Sequence, residues 1–202
     1  MSSILVPENV VIVDVEGNGQ SPPDIVEIAI LQFGNGIVEF GNCKNWLLKP
    51  PKTILRRVSE IHGITNKMVA NCQCWDDIKA EVIDALKDNW IVAHNARVEY
   101  DVLCRHLPNF EPFGFIDTLR FSRTISPTQS SHSLDSLLDH FSIVLPDTLG
   151  PRHRASCDVF ATALVFQALM RESVCHSWEG LCKLACDPKL PSGLGVRQEK
   201  LF

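Results

Sequence analysis

The chain has 202 residues, of which 45% are hydrophobic and 21% charged, and a formal net charge of −5. That length suits one domain plus a tail, and the composition excludes a disordered chain. The acidic excess argues against a broad basic nucleic-acid surface, but not against a local site where bound metals supply positive charge beside a phosphate.

The opening MSSILVPENV lacks the charged start and long apolar run of a signal peptide. No stretch approaches the roughly 20 apolar residues of a membrane helix, so a soluble, cytoplasmic protein is expected. Val10 to Val15 is β-branched and apolar, reads as a buried strand, and ends at Gly17-Asn18-Gly19. Ile25 to Phe33 is a second strand. Gly34-Asn35-Gly36 then predicts a hairpin to an antiparallel third strand at Ile37 to Phe40, because Asn-Gly between apolar runs favours tight turns. Asn45 to Leu48 adds a short strand before Pro50 and Pro51.

Trp75, Ile78, Val82 and Leu86 recur at helical spacing and predict a helix from about 75 to 88. Trp90 to Ala93 is a short apolar strand, followed by a helix from Val98 to His106. Phe115 to Asp117 is a brief strand, with helices near 118–123 and 133–141 and a long one from Arg154 to Met170. A run of strands followed by alternating helices and strands indicates an α/β fold with a mixed sheet flanked by helices. Residues 1–172 form the expected domain; 173–202 hold a short helix at Trp178 to Ala185, a Pro/Gly/Ser linker and a tail.

Eight cysteines are scattered without a CxxC pair, and reduced thiols packed as small hydrophobes are expected. Cys175, His176, Cys182 and Cys186 could form a zinc cluster. However, Cys182 and Cys186 share a helix face with Trp178, so packing explains them more simply. Basic groups occur at Lys49, Lys52, Arg56 and Arg57, at Arg120 and Arg123, and at Arg152 and Arg154; each is either a solvated face or a phosphate contact.

Side chains alternate along a strand, so Asp14 and Glu16 leave the first strand on one face. Two carboxylates placed so repel and are costly to bury without a cation, and hard divalent metals take oxygen ligands. Alone, the pair would equally fit a strand end with two solvated acids. Asp101 follows the loop His94-Asn95-Ala96 near a helix start, and Asp158 sits in the first turns of the long helix, five residues after His153. Acids so far apart in sequence, each against an apolar element, point to one site assembled by folding.

The order of these pieces, DxE on the first strand, HNAxxxxD after a later strand and HxxxxD leading into a final helix, resembles the DnaQ-like exonucleases of the DEDDh type. Stretches starting at Asp24, Ile61, Ile116 and Ser131 match as well, and the likeness runs from about Val10 to Leu169. The chain resembles exodeoxyribonuclease X-like members, which are similar in size and share the Trp-Glu-x-Leu type of helix seen at Trp178. The resemblance implies an RNase H-like fold and a 3′–5′ exonuclease releasing nucleoside 5′-monophosphates. Asp14, Glu16, Asp101 and Asp158 would ligate two Mg²⁺ or Mn²⁺ ions, with His153 as general base. Gly17, Asn18, His62 and Asn95 would line the nucleotide pocket, although a loop role serves His62 and Asn95 equally. Gly17 and Asn18 replace the Thr-Thr that often follows the acidic pair, and Tyr100 stands where phenylalanine often precedes the third acid.

The tail from Gln198 to Leu201 and Phe202 resembles the QxxLF peptide with which bacterial replication and repair proteins bind the sliding clamp. A frayed terminus or docking onto its own domain is the competing reading. With a clamp, the substrate is DNA and the role repair or proofreading. Without one, RNA trimming or oligoribonucleotide turnover uses the same chemistry. A catalytically silent nucleic-acid-binding module is the alternative from another class, which has no use for a general base beside two metals.

Overall fold

The computed structural model describes residues 4–39 and 41–191. Val10–Gly17 (β1) lies at the centre of the sheet because its first four residues are apolar on both faces, so both sides must be covered. Ile25–Gln32 (β2) pairs with it antiparallel, setting Asp14 opposite Ala29 and Glu16 opposite Glu27. Trp90–Ala93 (β4) and Gly114–Asp117 (β5) extend the other side in parallel, and Cys43–Leu47 (β3) closes the edge beyond β2. The order is β3-β2-β1-β4-β5, a mixed sheet as expected.

The even-numbered residues of β1, Val10 and Ile12, pack under Leu134–His140 (α6), Ala155–Glu172 (α7) and Trp178–Ala185 (α8). The odd-numbered Val11 and Val13 pack on Trp75–Leu86 (α3) and Arg97–His106 (α4). Cys182 of α8 and Cys186, which caps it, are buried in the first layer, where Trp178 meets the Trp90 and Phe166 rings edge-on. Thr118–Ile125 (α5) follows β5 directly. Two short helices, Arg56–His62 (α1) and Asn66–Val69 (α2), frame a smaller cluster of Val26, Ile54, Ile64 and Val69. No helix among the described residues is long and apolar enough to cross a membrane.

The strand expected directly after Gly36 is absent among the described residues. Residues 34–36 form a single 3₁₀ turn, but Ile37–Glu39 do not pair with β2; the antiparallel partner is Cys43–Leu47. The turn is held elsewhere: Asn35 N–H donates to the Pro7 carbonyl, and Gln167 of α7 donates to Gly36 O at 2.7 Å. Engaged with the N-terminal segment and α7, it cannot fold the chain straight back. Ile37 is left 56% exposed, and pairing waits until Asn42 O accepts Gln32 N–H.

Candidate active site

Asp14 and Glu16 project from β1 onto the face covered by α7, where Asp158 comes down from the first turn of that helix. Ligand atoms of these three carboxylates lie within 4.8 Å of one another, and among the described residues they are the group so arranged that could hold a metal. The cysteines and His176 of the C-terminal region form no such group. A fourth carboxylate acts on this group: Glu99, buried in the first turn of α4, raises the proton affinity of Asp14 and is itself raised by Glu16.

Glu99 is 4% exposed, and its Oε2 has no hydrogen-bond partner. Burial, opposed by its own backbone and reinforced by Asp117 and Glu16, pushes its carboxyl up to about 8. Glu16 is pushed up to about 7, by burial first and then by Glu27, and Asp14 well above the ordinary carboxylate range by burial, Glu99 and Glu16. Crowded acids that hold protons near neutral pH are a destabilised set, which a divalent cation with a preference for oxygen ligands would relieve. The orphaned Oε2 of Glu99 fits such a cation directly.

Asp101 is not brought to this cluster. Its side chain is 55% exposed and pairs at 2.9 Å with Arg97, one turn earlier. The reason is helical phase. Glu99, Val102 and Leu103 share the buried face of α4, and Asp101 points the other way between Arg97 and Arg105. The same spacing is present in the sequence and would have selected Glu99.

His153 lies just before Arg154, the residue that opens α7, exposed and in the left-handed region at φ 60°, with its N–H donated to Asp158 Oδ1 at 3.2 Å. A non-glycine residue there is uncommon and is held by its surroundings. Asp158 holds its N–H, and the two residues that follow are held by Glu27, fully buried in β2. Its carboxylate takes two hydrogen bonds from Arg154, at 2.8 and 2.7 Å, and one from Ala155 N–H at 3.0 Å. Arg154 is the N-cap residue of α7 and lends no side chain to the cap, so Glu27 serves as the anion at the helix N-terminus from across the sheet. Arg152 forms an ion pair with Asp158 and a 2.8 Å contact with Asp135, setting positive charge beside the cluster.

The remaining expected positions divide. His62 is buried, accepts Ile64 N–H at Nδ1 and lies against the Gly17 backbone, next to Glu16; burial lowers its proton affinity. Asn18 is fully engaged in its own loop. Its side chain bonds Asp24, Gln20 N–H and the Lys52 carbonyl, and its backbone bonds Asp24 and Leu55. It shapes the loop and has no polar group left for a nucleotide. Asn95, at φ 71°, donates its N–H to Asp117 Oδ1 and lies at the mouth of a neighbouring pocket. Gln198, Leu201 and Phe202 lie outside the described residues.

The model of the RNase T family, described as an exonuclease, matches residues 11–166. The chain belongs to this exonuclease family. The PolC-type DNA polymerase III of Thermotoga maritima is 32% identical over 77% of the chain, which covers 11% of that protein. The 3′-5′ exonuclease DinG of Bacillus subtilis is 28% identical over 80% of the chain and 18% of its own length. The chain thus spans a small fraction of the curated relatives it matches. Among solved structures, exonuclease X in complex with 5′ overhanging duplex DNA has a TM-score of 0.68 at 28% identity, covering 81% of this chain and 92% of that one. The nuclease domain of 3′hExo, a DEDDh family member bound to rAMP, has a TM-score of 0.69 at 15% identity, covering 84% and 94%, and shows the fold alone. The mixed sheet flanked by helices is the RNase H-like fold of these exonucleases, and membership implies dependence on a divalent metal, which the carboxylate cluster fits.

Proposed function

We propose that the chain is a 3′–5′ exonuclease acting on DNA 3′ ends, with Mg²⁺ or Mn²⁺ as its metal, two ions per site. The observation that carries this is the meeting of Asp14, Glu16 and Asp158 within 4.8 Å of one another, with His153 N–H bonded to Asp158 and the buried, orphaned Glu99 carboxylate close enough to raise the proton affinity of Asp14. Glu99 takes the third ligand position in place of Asp101. When bound, the metals supply Lewis acidity for activating water and for charge developing on the phosphate. The four carboxylates bind and space them. His153, exposed at the rim and fixed by its left-handed backbone, takes the proton from the attacking water, which an imidazole can do near neutral pH. Glu27 and Arg154 set the angle at which His153 and Asp158 enter the site. His62 and Gly17 form a wall of the terminal nucleotide's pocket. Released products are nucleoside 5′-monophosphates, and a role in DNA repair or proofreading accords with the polymerase and DinG relatives.

Digestion of matched 5′-labelled single-stranded DNA and RNA, with Mg²⁺ or EDTA and with Asp14→Ala, tests the reading. A DNA ladder shortening from the 3′ end, lost in EDTA and in the variant, is expected. Faster loss of RNA would move the substrate to RNA, and no cleavage of either would favour a silent binding module. For the tail, we propose sliding-clamp binding through Gln198, Leu201 and Phe202; capture by the clamp unchanged in Leu201→Ala/Phe202→Ala would exclude it.

A further inference from the structure

Beside the acidic cluster lies an open, mainly polar pocket of about 380 Å³, bordered by Asn95, Arg97, Asp117, Arg120, Arg123 and Asp187. It opens where β4 passes into α4 and β5 into α5, on the same edge of the parallel strands to which β1 delivers Asp14 and Glu16.

Three arginines at one pocket stand out in a chain of net charge −5. Arg97 is paired with Asp101, but Arg120 and Arg123 have no carboxylate within ion-pair distance among the described residues. They are exposed and three residues apart on α5, so their side chains lie side by side. Asp117 does not neutralise them: its Oδ1 accepts the N–H groups of Asn95, Leu119 and Arg120, at 3.0, 2.9 and 3.3 Å. Asp187 is engaged by Lys189 N–H and faces Arg97. A guanidinium fork without a carboxylate partner matches the oxygens of a phosphodiester. Adjacent strands are about 4.8 Å apart, so the step from β1 across β4 to β5 is roughly 10 Å, which a few nucleotides span.

We propose that this pocket binds an internal phosphodiester of the strand whose 3′ end occupies the acidic cluster, with Arg120 and Arg123 as its ligands. The proposal rests on the exonuclease reading and extends it from the reacting end to the strand behind it. It makes binding depend on the strand upstream of the scissile bond, where the terminal pocket alone would hold one nucleotide.

The test is fluorescence anisotropy of a labelled single-stranded dodecamer over a range of salt concentrations, with Ca²⁺ replacing Mg²⁺ to slow hydrolysis. For Arg120→Ala/Arg123→Ala the Kd should rise about tenfold, and the slope of log affinity against log salt should shrink by about 0.7, the value for one phosphate contact on a single strand. Arg120→Lys/Arg123→Lys should restore the slope but only part of the affinity. Arg171→Ala, which removes one charge at the far end of α7, should leave both unchanged. A double alanine variant with native Kd and slope would overturn the proposal, as would an equal loss of slope in Arg171→Ala or no binding by the native chain. Failure of the native chain to shorten any strand in Mg²⁺ would instead refute the exonuclease reading, while the binding data still judge the pocket.

Discussion

A buried carboxylate oxygen with no donor in reach is tolerable only if it keeps a proton or meets a cation. Glu99 is in that position, and its charge is felt by Asp14. Asp101, two residues on, needs neither, because it has Arg97 and water. Motif spacing alone selects Asp101, whereas the burial phase of α4 selects Glu99. The convergence of Asp14, Glu16 and Asp158 is legible in the sequence because strand alternation and the start of a long apolar helix constrain them locally. Asn18 is not, since its role comes from partners at Asp24, Lys52 and Leu55 that only the folded loop supplies. At this scale, His153→Ala should slow hydrolysis by roughly 10²–10⁴ at pH 7, the usual effect of losing a general base, with strand affinity retained. A single-turnover rate equal to the native one would remove His153 from that role.

Between elements, the Glu27–Arg154 contact couples β2 to the start of α7 across 127 positions of sequence. Neither residue announced itself: a charged residue inside an apolar strand reads as an interruption until its partner is seen. Removing one member of a buried pair strands the other, so Arg154→Ala should cost about 3–5 kcal/mol in urea unfolding and lower activity by misplacing His153 and Asp158. A loss below about 1 kcal/mol would mean that the pair behaves like a solvated surface contact. The hairpin expectation failed on the same kind of fact. Gly34-Asn35-Gly36 turns the chain as its composition says, but its bonding to Pro7 and Gln167 is long-range, and it moves the partner strand from Ile37 to Cys43. The central strands and most of the longer helices were legible because their burial pattern repeats with a period of two or 3.6 residues. Helices α1 and α2 are too short for a period to show.

Over the whole molecule, the acidic cluster ties stability to pH and to metal. In the metal-free chain Glu99 holds its proton up to about 8 and Glu16 to about 7, above their ordinary value of 4.5. Both folded values are raised, so this contribution is fully present below the unfolded value and is lost as pH climbs, because the unfolded chain releases its protons first. Melting temperature in EDTA should therefore fall between pH 4.5 and 8, the window these values set. Mg²⁺ should raise it more at pH 8 than at pH 5.5, since the ion competes with protons for the same oxygens. Glu99→Gln should flatten the EDTA profile and raise the melting temperature at pH 8 by roughly 5 °C, as expected when a buried charge is removed from a chain of this size. A melting temperature in EDTA that rises steadily with pH would contradict the burial of these groups.

If four carboxylates, the third being Glu99, make a 3′-end nuclease, the shortening of 5′-labelled single-stranded DNA in Mg²⁺ by the native chain, Glu99→Gln and Asp101→Asn in parallel decides it. The native chain and Asp101→Asn should give the same 3′-end ladder within about threefold in rate, and Glu99→Gln should lose about 10³-fold or more, the scale on which electrostatic stabilisation at a reacting phosphate acts. A full-rate Glu99→Gln beside an inactive Asp101→Asn would contradict the account, as would an intact strand in the native reaction.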